Sequence, residues 1–194
     1  MTKDQERSFI ARITCNGMDM TFFDQILSAS HFEPQRLKSP IPPNIVSTFE
    51  AYDPVSRKLL PVGYGKGRKP PAMVIHFRCY DDYYNMQILS EAYYQKYFSQ
   101  GDQGVLGAYP AAGGDTTSFN LLDGYHQIIT LDDLNASKAS VYLKARNAGI
   151  IRQEIWRDPA YSRCFTDKTG DAVTFELEIL ERQVSSPASS TPYS

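Results

Sequence analysis

Three times in this chain a phenylalanine flanked by hydroxyl residues opens an alternating segment: Ser47-Thr48-Phe49-Glu50-Ala51, Thr117-Ser118-Phe119-Asn120-Leu121 and Val173-Thr174-Phe175-Glu176-Leu177. Alternation with period two places every second side chain on one face, the pattern of a half-buried strand. Each segment follows another strand-like stretch by roughly 30 to 40 residues, a spacing that predicts three repeated units. The fronts of the units align as well: Arg12-Ile13-Thr14-Cys15-Asn16, Phe77-Arg78-Cys79-Tyr80 and Leu143-Lys144-Ala145-Arg146. Cys15, Cys79 and Ala145 then share one inward position, and Phe49, Phe119 and Phe175 another. Further apolar stretches lie between these anchors, at 20–27, at 86–98 and 105–109, and at 150–156 and 164–165. The reading is about four short strands per unit, with units near 8–56, 72–125 and 126–183.

The fold class expected from this pattern is all-β, with three pseudo-repeats arranged as a β-trefoil-like barrel of six strands capped by three hairpins. Twelve glycines, twelve prolines, 13 tyrosines and ten phenylalanines are the turn-dense, aromatic mixture of a sheet protein. Helical period is scarce; the 86–98 segment reads as a hairpin turning at Glu91-Ala92, with a short helix as the alternative. The run Ser140-Val141-Tyr142-Leu143-Lys144-Ala145-Arg146-Asn147-Ala148-Gly149, followed by Val173-Thr174-Phe175-Glu176-Leu177-Glu178, resembles the lobes of fascin-like and amaranthin-like trefoils. The resemblance is carried by the third unit. The first two units have Asn16-Gly17-Met18 and Asp82-Tyr83-Tyr84 where it has the Asn-Ala-Gly turn. The Gln-x-Trp signature of ricin-type lectin lobes is absent, because the single tryptophan, Trp156, follows Ile155.

The first seven residues and the Ser/Pro-rich stretch 184–194 are expected to be disordered, since neither buries enough apolar surface to offset its ordering entropy. The stretch 57–71, rich in glycine, proline and lysine, reads as an exposed connection between the first two units, and its basic part 63–70 lacks the ending of a phosphate-binding loop. No apolar segment follows the charged start, which predicts no secretory leader and a cytoplasmic or leaderless-export location. No run approaches the ~20 apolar residues of a membrane helix. A formal net charge of −2 offers no general attraction to a phosphate backbone, so nucleic acid is not an expected partner.

Candidate chemistry is sparse. His31, His76 and His126 are scattered, and His76 and Cys79 are three apart on a strand and so face opposite ways. Cys15, Cys79 and Cys164 read as buried core thiols rather than a disulfide framework or a nucleophile. Asp81-Asp82 and Asp132-Asp133 read as solvated turn residues; adjacent carboxylates on a strand point apart and do not form a hydrolytic pair. Neither catalytic residues nor a metal nor a cofactor is expected.

The suggestive feature is aromatic. Tyr80, Tyr83, Tyr84, Tyr93, Tyr94, Tyr97 and Tyr109 crowd the second unit, with Asp82 among them. Tyrosine joins an apolar ring to a polar tip, which suits a sugar face or a protein contact. Since neighbours on a strand alternate, about half of these rings belong to the core. A ligand surface is expected at Asp82, Tyr83 and Tyr84, and a second at Trp156, Asp158 and Tyr161, where the indole would be the stacking platform. Two functions follow. One is a non-catalytic, lectin-like carbohydrate-binding module; the other is a protein-interaction module, cytoskeletal or receptor-binding as the resemblance implies, or a protease inhibitor.

Overall fold

The computed structural model describes residues 1–29, 42–48, 50–53, 58–61, 72–101, 104–110, 116–156, 162–187 and 191–193. Sixteen strands follow one another along these residues: β1 (Phe9–Cys15), β2 (Met18–Phe22), β3 (Val46–Thr48), β4 (Glu50–Asp53), β5 (Lys58–Pro61), β6 (Val74–Tyr80), β7 (Tyr83–Ile88), β8 (Tyr97–Gln100), β9 (Leu106–Tyr109), β10 (Ser118–Leu122), β11 (Ile128–Ile129), β12 (Lys138–Ala145), β13 (Arg152–Trp156), β14 (Ser162–Thr166), β15 (Asp171–Ala172) and β16 (Phe175–Arg182). The chain is therefore all-β, as its alternation requires. Six strands close a barrel through antiparallel pairs in the order β1, β6, β7, β10, β12, β16 and back to β1. Closure leaves none of these six with an unpaired edge. Three hairpins, β2–β3, β8–β9 and β13–β14, lie beside it.

One register recurs around the barrel. Cys15 stands opposite Phe175, Ile88 opposite Ile75, and Ala145 opposite Phe119. Two residues along, Ile13 faces Leu177, Met86 faces Phe77 and Leu143 faces Leu121. On their other sides, Ile75, Phe119 and Phe175 pair with Ala11, Tyr84 and Val141. All of these side chains are buried. At the first of these positions sizes compensate: Phe175 and Phe119 face cysteine and alanine, and Ile75 faces isoleucine. A close-packed interior allows little else at a fixed barrel radius.

This register corrects part of the alignment read from the sequence. Cys15 and Ala145 are equivalent, but the third residue at their place is Ile88; Cys79 sits on β6 opposite Tyr84. Phe119 and Phe175 are fully buried at matching register positions, which Ile75 occupies on β6. Phe49 lies outside the described residues, as does the basic stretch 63–70.

Locally the chain follows its residues. Asn16 (φ 50°) and Gly17 (φ 73°) make the left-handed pair that a two-residue hairpin needs between β1 and β2. The 20–27 segment, expected as strand, ends β2 at Phe22 and turns into helix α1 (Phe23–Ala29), whose Phe23 and Ile26, three apart, are both buried. The 86–98 segment is the expected hairpin, with turns rather than a helix over 91–95 and with Tyr93 and Gln95 at positive φ.

Described residues near both ends of the chain make defined contacts. Residues Lys3–Glu6 form one helical turn closed by a Thr2–Gln5 capping box. Arg7 Nε donates to Asp132 Oδ2 at 2.6 Å, and Ser8 Oγ accepts from the Cys79 amide at 2.9 Å. At the other end Val184 N donates to Ser8 O, and Tyr193 N donates to Leu89 O. Tyr193 Oη reaches Glu181 at 2.6 Å, and its ring joins Val184 and Leu180 against buried Ile10, Val74 and Leu89. Among the described residues no helix is long and apolar enough to cross a membrane.

Candidate functional site on the outer barrel wall

The tight turn Asp81-Asp82, with Asp81 at φ 57°, joins β6 to β7 and sets Tyr80 opposite Tyr83. Alternation sends Phe77 and Cys79 inward and leaves Arg78 and Tyr80 on the outside. On β7 it sends Tyr84 inward and Tyr83 outward. Tyr84 is therefore removed from the expected ligand surface. Its ring is fully buried edge-on to Phe9 and Phe77, at 5.6 and 6.1 Å between centroids. Its hydroxyl accepts from Leu131 N at 3.0 Å and donates to Arg7 O at 3.4 Å. Burial pushes its pKa far above the usual phenol range.

Tyr83 and Asp82 remain on the surface. The Tyr80 and Tyr83 rings stack, 5.8 Å apart and 18° from parallel. The Arg78 guanidinium lies 5.3 Å from the centre of Tyr80, and the Arg146 guanidinium 4.0 Å from the centre of Tyr83. Arg146 follows β12 and crosses β10, where its amide donates to Ser118 O at 2.8 Å. Strand order β6, β7, β10, β12 thus puts Tyr83 between Tyr80 on one side and Arg146 on the other.

Beneath this ladder the polar groups are paired. Asn120 Nδ2 donates to Asp82 O at 2.9 Å and fixes the turn. Ser118 Oγ donates to Asn85 Oδ1 at 3.1 Å, and both residues are buried. Lys144, opposite Asn120 on β12, adds a third cation to the wall. Arg78 and Arg146 are exposed, and neither forms an ion pair with a carboxylate among the described residues.

The two expected patches are not brought together. Trp156 ends β13, opposite Ser162 in the three-stranded sheet β14-β13-β15 rather than in the barrel wall. Asp158 and Tyr161 lie outside the described residues. The sequence reading missed Arg78 and Arg146 as members of the site. The Arg78-x-Tyr80 spacing shows that the first arginine shares a strand face with a tyrosine, but no local pattern carries Arg146 across β10 to Tyr83.

Other groups serve the fold. Burial raises the thiol pKa of Cys79 to about 11 and of Cys164 to about 12, which keeps both protonated and poorly nucleophilic at neutral pH. Cys15 is equally buried. Of the acid pairs, Asp132 holds Arg7, and Asp133 accepts from the Thr130 amide at 2.8 Å. No three His, Cys, Asp or Glu side chains among the described residues gather as metal ligands. The described residues enclose a cavity of about 270 Å³ over Met20, Phe22 and Met73 and a groove of about 470 Å³ along Arg12, Thr14, Glu176 and Glu178. Within the groove Arg12 pairs with Glu178 at 3.2 Å and Thr14 donates to Glu176 at 3.3 Å.

No protein family, no curated protein and no solved structure matches the chain.

Proposed function

We propose that the chain is a β-trefoil acting as a non-catalytic, lectin-like binding module, with its binding surface on the Arg78–Tyr80–Tyr83–Arg146 wall. The trefoil reading rests on the barrel order and the recurrent register, which give units at 9–80, 83–122 and 138–182. Each unit contributes its first and last long strands to the barrel and a hairpin between them. The binding reading rests on one observation. Two exposed guanidiniums and two half-buried tyrosines are assembled from three separate segments into a single ladder, beside the exposed Asp82 carboxylate. Hydroxyl, carboxylate and guanidinium groups held on a rigid wall supply the directed hydrogen bonds that saccharide hydroxyls need.

A protein partner is the second reading, favoured by the residue types themselves, since tyrosine and arginine are over-represented among interface anchors. Glycan-array screening of the purified protein separates the two. Binding to a defined set of glycans, weakened in Tyr83→Ala, supports the lectin reading. A blank array, together with capture of a protein partner that Tyr83→Ala abolishes, replaces it with the second.

A further inference from the structure

We infer that the ligand of the Arg78–Tyr83–Arg146 wall is an acidic glycan, one bearing a carboxylate or sulfate group, with Arg146 as its principal contact. The inference builds on the lectin reading and specifies its ligand class. It starts from what the ladder leaves available. Tyr83 already stacks with Tyr80 and carries Arg146 at 4.0 Å from its centre, so a sugar would have to displace a neighbour to stack closely on the ring. What remains is the rim of the guanidinium. An arginine stacked on an aromatic ring uses its π face for that contact, while its N–H groups point outward in the guanidinium plane, the geometry that grips a carboxylate or sulfate through two parallel hydrogen bonds.

Arg146 is also held in place before any ligand arrives. Its amide is bonded to Ser118 O at 2.8 Å and its side chain rests 4.0 Å from the centre of Tyr83. A group fixed in its bound position loses less freedom on binding. The charge pattern adds an independent argument. Elsewhere arginines find oxygen acceptors within the fold: Arg7 meets Asp132 at 2.6 Å, Arg12 meets Glu178 at 3.2 Å, and Arg182 donates to Ala136 O at 2.9 Å. Arg78 and Arg146 do not pair with a carboxylate among the described residues, although Asp81 and Asp82 occupy the adjoining turn. Lys144 on the same wall adds positive charge. The wall therefore offers an anion two guanidiniums that no carboxylate among the described residues neutralises, and Asp82 stands at its edge to accept from sugar hydroxyls.

Titration of the whole protein with three oligosaccharides tests this: a sialylated trisaccharide, a sulfated heparin tetrasaccharide and neutral lactose. The expected result is binding of at least one acidic probe, at least tenfold weaker in Arg146→Gln, weakened also in Arg146→Lys, and unchanged in Arg12→Gln. Affinity should fall as salt rises, because the contact is charge-assisted and exposed. The sialylated and sulfated arms tell which anion is preferred. If Arg146→Gln fails to fold by circular dichroism, Arg146→Lys carries the test, since it keeps the charge and loses the paired hydrogen bonds. Lactose binding as tight as that of the acidic probes, indifferent to Arg146→Gln, overturns the acidic ligand and leaves the lectin reading standing. Acidic binding that survives both Arg146 variants overturns the assignment of Arg146. Absence of binding to all three probes, together with a blank glycan array, overturns the lectin reading and this inference with it.

Discussion

The wall formed by β16, β1 and the start of β6 and the wall formed by the end of β6, β7, β10 and β12 stand on the same interior register, yet they are finished differently. On the first, charges meet each other: Arg12 with Glu178, and Thr14 and the Gly17 amide with Glu176. Its apolar residues Ile10, Val74 and Leu89 are roofed by the protein's own C-terminal Val184 and Tyr193. On the second, the arginines rest on tyrosine faces rather than on carboxylates. Water solvates exposed charges well and screens their attraction, so an exposed ion pair gains little and an unpaired arginine costs little. A barrel can leave one wall open to a ligand while satisfying the other, and the difference lies in which partners the outward positions meet, not in the core beneath them.

Removing the shared foundation should damage both walls most. Phe175→Ala or Phe119→Ala is expected to lower the unfolding free energy by about 3 to 5 kcal/mol in urea titrations, since each ring is fully buried against a small partner that does not expand to fill the space. Equal losses at the two sites support the recurrent register. A loss under ~1 kcal/mol at either would show that the two are not equivalent.

Tyr84→Phe acts beneath the open wall alone. It strips the Leu131 amide of its acceptor, and a buried donor left unpaired costs about 1 to 3 kcal/mol. The expected outcome is a lower urea midpoint with glycan affinity retained, because the hydroxyl does not reach the surface.

His76 reports on the covered wall. Burial beneath the C-terminal segment lowers its pKa below the usual value near 6.5, and Arg78 lowers it further, although the Val184 carbonyl at 2.7 Å favours the charged form. With the folded pKa below the unfolded one, stability is complete above pH 6.5 and declines as pH falls through 6.5 toward the folded value. Urea midpoints measured between pH 7.5 and 5 should therefore decrease, and His76→Gln should flatten that decrease. An unchanged slope in the variant would sever the link between His76 and the C-terminal roof.

The smallest effects are those of the exposed arginines on stability. Arg12→Gln should cost about 0 to 1 kcal/mol for its exposed ion pair, and Arg146→Gln about 0.5 to 1 kcal/mol for its cation–π contact. The two walls are expected to look alike in this measurement and to differ only in binding.

Alternation made the all-β class legible in the sequence, and Cys15 with Ala145, and Phe175 with Phe119, hold matching register positions in the barrel. At the register position that Phe119 and Phe175 hold on β10 and β16, β6 carries Ile75, and Ile88 on the neighbouring β7 supplies the volume that their alanine and cysteine partners lack. A pattern search keyed on phenylalanine therefore stops at Phe49, short of the strand that closes the barrel. Adjacent Tyr83 and Tyr84 had to face apart; only their packing against Phe9 and Phe77 decides which is core. The Ser/Pro composition of the C-terminal stretch concealed Val184 and Tyr193, whose amides donate to Ser8 O and Leu89 O far away in sequence. Arg146 meets Tyr83 through tertiary structure alone, so a local reading of either segment does not contain the site.

The central claim, that one wall is closed on itself and the other addresses a ligand, is tested most directly by amide and guanidinium chemical-shift mapping during titration with an acidic oligosaccharide. The account predicts perturbations at Arg78, Tyr80, Asp82, Tyr83 and Arg146, with Arg12, Thr14, Glu176 and Glu178 unmoved. Perturbations centred on Arg12 and Glu178, with the tyrosine ladder silent, would contradict it.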